Sequence, residues 1–264
     1  MKQNKTNHKI FHFCISIIFI SLFIILSGSA HATGNTTQIP QIDDSGKTDQ
    51  NLKSYFLSAQ DASMEDASIY ANKQRNLINS NWGESPLLFV SSLVGGLRNW
   101  NRRIFIKFDA EEVSRFPKLL KSAKLQLYDG SNSPLLKDKK VNSVNVKLYR
   151  VIDPWIEGAG GKYKKKHPKI FPDAGKTISW KNQPKYDKSK IWAKTQLSPP
   201  SKGVWVEWDV TNLVKAWVSG KFPNHGLVLI GEGEGVKRFI HLFTSSEWQN
   251  KKFAPRFKVI KAIK

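Results

Sequence analysis

The fold class that this sequence predicts is all-β: an antiparallel β-sandwich, jelly-roll-like, with one or two short helices. Three observations predict it. Apolar and polar residues alternate with period two in short runs along most of the chain after residue 60. Gly, Pro, Asn and Ser punctuate those runs. Helical spacing occurs in only two places.

The N-terminus comes first in order. Met1 to Lys9 carries Lys2, Lys5 and Lys9, an apolar run follows from Ile10 to Leu26, and Ala30-His31-Ala32 closes it. This is the pattern of a secretory signal peptide over residues 1–32. A retained membrane anchor is the alternative, and His12, Ser16 and Ser21 interrupting the run count against it. Cleavage after Ala32 would leave no transmembrane segment. It would also remove Cys14, the single cysteine, so disulfides, reactive thiols and cysteine-bound metal are not expected. Residues 33–60 are polar and read as a flexible linker. Residues 61–264, roughly 200 residues, are enough for one compact β-domain.

Within that domain the expected strands are Ala67–Ala71, Pro86–Ser92, Arg103–Asp109, Ser122–Asp129, Val144–Val151, Thr177–Trp180, Val204–Trp208, Gly226–Gly231, Arg238–Ser245 and Pro255–Ala262. The helical pieces are Asp209–Ser219 and a turn around Glu111–Phe116. In "VWVEWDVTNLVKAW", alternation sends Val204, Val206 and Trp208 to one face and Trp205 and Glu207 to the other. Asp209 can accept from the free N–H groups of the helix that follows. Leu213, Val214 and Trp217 share a helical face, and Gly220 offers a stop. Trp208 and Trp217 therefore read as core, while Trp205 stays open between core and surface.

Charge bounds the partners. The chain has 42 basic and 21 acidic residues, a net +21; without the three signal lysines it keeps 42 − 3 = 39 basic residues, hence +18. Such a charge favours an acidic polysaccharide or another extracellular polyanion, and an exported chain has no specific nucleic-acid partner to expect.

Two segments break the strand pattern and supply candidate ligand contacts. One is Arg98-Asn99-Trp100-Asn101-Arg102-Arg103, where Arg98 and Arg103 can grip carboxylates bidentately beside Trp100. Arg102, on the Ile104 face, reads as structural, with Glu247 as its partner. The other is Glu157–Lys176, where Lys162, Lys164, Lys165 and Lys166 flank Tyr163. Ammonium groups would meet sugar carboxylates there and the ring would cover a sugar face; the alternative is a solvated loop. Catalytic motifs of the Gly-x-Ser-x-Gly or His-Glu-x-x-His kind are missing, so no catalytic residue is assigned. A lyase could cast Tyr163, His167 and Arg98, but no spacing singles them out. Glu232 and Glu234 in "GEGEG" read as a turn, and His241 as a packed strand residue. No cofactor is expected. Asp66, Asp129 and Asp153 near strand ends leave a structural calcium open, without an EF-hand spacing to support it.

The ordered series "NSNWG", "RRIFIKFD", "DPWIEG", "TISWKNQP", "WDVT" and "FTSSEW" resembles the DNRLRE domain, a secreted β-sandwich grouped with carbohydrate-binding modules that include alginate binders. The likeness rests on Asn81, Gly83, Trp155, Glu157, Trp180, Trp208, Asp209 and Glu247 among others, and spans roughly Asp61 to Ile260. It implies a sugar-binding sandwich in which Trp180, Trp208, Asp209 and Glu247 are structural. Trp82 stands where a Tyr is usual, and the Lys-rich insertion after Glu157 is long for the family. The resulting expectation is a secreted, non-catalytic module for an acidic polysaccharide; a lyase or hydrolase of such polymers, or an adhesive envelope protein, are the alternatives.

Overall fold

The protein is described by a computed structural model that covers residues 52–58, 64–72, 77–94, 100–108, 120–131, 142–160, 163–164, 167–168, 171–172, 177–198 and 203–262. All of these belong to one compact unit, Asn35–Lys264.

In chain order the elements are β1 (Leu52–Ser58), β2 (Met64–Ala71), β3 (Ser80–Asn81), β4 (Leu87–Leu93), β5 (Trp100–Phe108), β6 (Leu120–Asp129) and β7 (Val144–Arg150). Three two-residue strands follow: β8 (Tyr163–Lys164), β9 (His167–Pro168) and β10 (Phe171–Pro172). The chain ends with β11 (Ala193–Leu197), β12 (Val204–Asp209), helix α1 (Thr211–Val218), β13 (Leu227–Gly231), β14 (Phe239–Thr244) and β15 (Arg256–Ala262).

Antiparallel pairing runs β1-β15-β6-β14-β4-β5-β13-β7-β11, with β12 also on β6 and β2 also on β5. The curled sheet folds into two layers. One is β1-β15-β6-β12; the other is β2-β5-β13-β7-β11. The β4–β14 pair joins them through the single match Phe243↔Asp129 on one side and Ser91–Leu93 against Arg102–Trp100 on the other.

The main core fills the space between the layers because alternation puts one apolar set of each strand inside. Leu125, Leu127, Trp208, Phe257 and Val259 face Ile104, Ile106, Val146, Leu148, Leu227 and Leu229. Trp208 is completely buried; its indole N–H donates to the Val146 carbonyl at 3.2 Å and its ring meets Phe243 edge-on. Helix α1 lies on this core through Leu213, Val214 and Trp217. The Asp209 carboxylate accepts from the Thr211 N–H at 2.9 Å, one residue outside the Val210 cap position, and Gly220 leaves the helix at φ +73°. A second cluster on the outer side of the other layer packs Ile69, Phe105 and Val228 under Trp155 and Ile178.

Three segments differ from expectation. The linker assigned to 33–60 holds β1, whose seven residues pair in register with Ala262 to Arg256, and Leu57 packs on the main core. Thr177–Trp180 is not a strand: Ile178 is buried but its backbone bonds to loops, its N–H donating to the Ile156 carbonyl at 2.8 Å. Strand β11 replaces it further along, with only Leu197 fully inside. The turn near Glu111–Phe116 lies outside the described residues. No helix among the described residues is long and apolar enough to cross a membrane.

Candidate functional site

The outward face of the β1-β15-β6-β12 layer brings aromatic rings and cations together. Alternation fixes which residues point out: Arg256 and Lys258 from β15, Lys124, Gln126 and Tyr128 from β6, Trp205 and Glu207 from β12, and Phe56 from β1. The Arg256 guanidinium lies 3.8 Å from the Trp205 ring centroid and 4.5 Å from that of Phe56, and its Nε donates to Gln126 Oε1 at 2.7 Å. Trp205 meets Tyr128 edge-on at 5.5 Å, and Tyr128 continues the row to Phe253 at 4.3 Å. These rings are half-buried, so each keeps area open to a ligand.

The same face carries uncancelled positive charge. Lys124 and Lys258 stand directly opposite each other in the ladder, an arrangement that costs stability between like charges. Glu207 answers part of it with a 2.7 Å ion pair to Lys124 and a hydrogen bond from Gln126. Burial pushes the Glu207 carboxyl up, but the bonds from Lys124 and Gln126 outweigh this and hold it low. Three cations therefore face one carboxylate.

Of the residues expected to touch ligand, the structure describes the side chains of Trp100 and Arg103. Arg98, Lys162, Lys165 and Lys166 lie outside the described residues, as do the side chains of Tyr163 and Lys164, whose backbones pair antiparallel with His167–Pro168. Trp100 is half-buried under the Arg102 guanidinium. Arg103 is engaged inside the protein. It binds Glu234 through Nη2 at 2.6 Å and through Nε at 3.1 Å, donates to Gln183, and covers the Trp180 ring at 4.5 Å. An arginine so occupied locks a strand to two loops. Arg102 covers Tyr70 and Phe89 at 4.5 Å each, while the Glu247 carboxylate accepts from the Ser246 hydroxyl at 2.7 Å. The two belong to different clusters.

Glu247 joins a group of three carboxylates. Asp66 on β2, Glu157 in the loop after β7, and Glu247 after β14 bring one oxygen each within 4.8 Å of one another. The cluster is built by the chain around it. The Asp66 N–H donates to Glu157 Oε1 at 2.7 Å, the Ser246 N–H donates to Asp66 Oδ2 at 2.8 Å, and the Ser246 hydroxyl donates to Glu247 Oε1 at 2.7 Å. Asn81 pins the Glu157 loop: its side-chain amide donates to the Glu157 and Ile178 carbonyls, and its Oδ1 accepts from Gly160 at 2.7 Å. A Cβ on Gly160 would collide with the Asn81 carbonyl, so the loop can sit this close only with glycine there.

Burial dominates the electrostatics of this group. Asp66 is fully buried, and burial, then the Glu247 charge, raise its carboxyl well above the ordinary range. Burial, then Asp66 and Glu247, push Glu157 up to about 9. Burial also raises Glu247.

Other titratable groups are committed to structure. His241 and Asp129 form a buried pair, Nδ1 to Oδ2 at 2.9 Å, with side-chain exposures of 0% and 2%. A substrate would not reach it. Glu232 pairs with Lys147 at 2.7 Å and Asp153 accepts from the Lys185 N–H. Of the three aspartates considered for calcium, Asp66 alone joins a group of possible metal ligands among the described residues. Arg256, Lys258 and Phe56 escaped the sequence reading. Alternation marked the outward side of β15, but nothing in the sequence paired it with β1.

The carbohydrate-binding module family 96 model matches residues 173–259. No curated protein matches the chain. The matched stretch includes Trp205, Glu207, Glu247, Arg256 and Lys258, while Phe56, Asp66, Lys124 and Glu157 lie before it. The family match thus supports a carbohydrate-binding module, with a carbohydrate as the partner.

Proposed function

We propose that the protein is a non-catalytic module that binds an acidic polysaccharide, a polymer rich in uronate carboxylates, on the outward face of the β1-β15-β6-β12 layer. The observation that carries this is the opposed Lys124–Lys258 pair beside the Phe56–Arg256–Trp205 stack. Aromatic faces cover sugar C–H surfaces, and the cations meet carboxylates. A bound anion would relieve the like-charge contact between the two lysines, so affinity and selectivity arise from the same groups. The Lys162–Lys166 segment supplies a second, steering contact, and residues 1–32 direct export. The narrower likeness to DNRLRE modules fits this reading.

Gel-affinity measurements on a polyuronate and on a neutral glucan test it. The parent protein should be retarded by the polyuronate and much less by the glucan. Trp205→Ala and Lys258→Glu should each weaken polyuronate binding about tenfold or more, with melting temperatures close to the parent's. Unchanged affinity in both folded variants would remove this face from the binding surface.

A further inference from the structure

We propose that Asp66, Glu157 and Glu247 form a calcium site that ties β2, the loop after β7 and the segment after β14 together. The site stands apart from the polysaccharide reading and does not depend on it.

The geometry points to a cation. Three carboxyl groups from sequence positions about 90 residues apart converge to within 4.8 Å. Proteins rarely place unneutralised carboxylates so close, because mutual repulsion and lost hydration both oppose it. A second observation is independent of the clustering. Asp66 is 0% exposed, and its Oδ1 has no hydrogen-bond partner, nor does Glu247 Oε2. Beside them, three carboxylate oxygens of the group are held by named donors: Asp66 Oδ2 by the Ser246 N–H, Glu247 Oε1 by the Ser246 hydroxyl and Glu157 Oε1 by the Asp66 N–H. A fully buried acceptor left open inside an acidic group is the arrangement a bound cation completes.

The nearby ammonium groups donate to neither of the open oxygens. The Lys251 ammonium is bonded to the Ser246 carbonyl, and Lys107 is paired with Glu65 at 2.6 Å.

The donor set selects the ion. All the donors are oxygens, with no histidine or cysteine in the group, which favours a hard cation over zinc or copper. Carboxylates supplied by two loops and a strand make an adaptable cage rather than a tight octahedron. That suits calcium better than magnesium. The site is also held in place before an ion arrives, through Asn81 and Ser246.

The experiment uses the full chain, stripped of divalent ions with a chelator and titrated with calcium chloride alone at about pH 7.5, followed by calorimetry and thermal melting. One calcium per chain is expected, with the melting temperature raised by roughly 5–10 °C at saturating calcium and returned by chelator. Magnesium should bind at least tenfold more weakly. Glu247→Gln, at the half-buried member, should fold, keep its circular dichroism, and bind calcium at least tenfold more weakly. Asp66→Asn should lose the calcium-dependent melting shift. No heat and no shift at millimolar calcium in the stripped parent would overturn the site; so would parent-like calcium affinity in folded Glu247→Gln. Equal binding of magnesium would overturn the assignment to calcium.

Discussion

Trp205 and Trp208 sit three residues apart on one strand and have opposite fates. Trp208 is sealed in the core, while Trp205 lies half-open under the Arg256 guanidinium. Their faces were legible from alternation alone, since a period of two leaves no choice once one of them is inside. Removing each should therefore give different losses. Trp208→Ala should cost about 3–5 kcal/mol of stability in chemical denaturation, and Trp205→Ala less than about 1 kcal/mol with its penalty appearing in affinity. Arg103 shows the limit of the same logic. Alternation puts it on the face opposite Ile104, but its engagement depends on Glu234, 131 residues away. Arg103→Met should leave polyuronate affinity at the parent's level and lower stability by about 1–3 kcal/mol, because it strips a charged partner from Glu234. Equal affinity loss in Arg103→Met and Trp205→Ala would contradict this division. Glu232 gives a pH signature. Hydrogen bonds from Lys147 and Asn145 hold its carboxyl down to about 2 from an ordinary 4.5. The folded state thus holds the proton less tightly than the unfolded chain. Its contribution is full above 4.5 and is lost as pH falls through about 2. Glu232→Gln should melt below the parent at neutral pH, and the two melting curves should converge near the acid end.

At the scale of elements, the sequence showed most strands because their inward positions are strongly apolar, as in Val144-x-Val146-x-Leu148. It hid those whose stability comes from a neighbour. Strand β1 exists because β15 offers an open edge, and seven backbone partners outweigh a weak side-chain pattern. Deleting residues 1–58 should expose that edge, lower the melting temperature by roughly 5–10 °C, promote self-association visible in sedimentation, and weaken polyuronate binding through loss of Phe56. A deletion that melts with the parent and stays monomeric would mean that β1 contributes nothing. The Glu157 loop was legible in another way. Its Glu157, and the Asn81 and Glu247 far from it in sequence, were each prominent in the motif series, but their convergence around Asp66 follows only from the curl of the sheet. The lysine-rich segment is tested by itself. Neutralising Lys164, Lys165 and Lys166 together should weaken polyanion binding without unfolding the domain.

For the whole molecule, the net charge of +21 sets a long-range field and the fold decides where it becomes specific. Charge alone would hold the protein to any polyanion and let go in salt, since screening reaches about 8 Å at physiological ionic strength. Rings packed against guanidinium are screened less and distinguish one polymer from another by shape. The composition showed the field. It did not show that Lys124, Lys258 and Arg256 share one sheet face, because that requires β6, β12, β15 and β1 to lie side by side. The most direct test is calorimetric titration with a polyuronate and with a non-carbohydrate polyanion of matched charge density, at about 0.15 M and about 0.5 M salt. The face described here predicts that polyuronate binding persists at the higher salt and disappears in Trp205→Ala, while the non-carbohydrate polymer is released. Release of both polymers together, with Trp205→Ala indistinguishable from the parent, would contradict it.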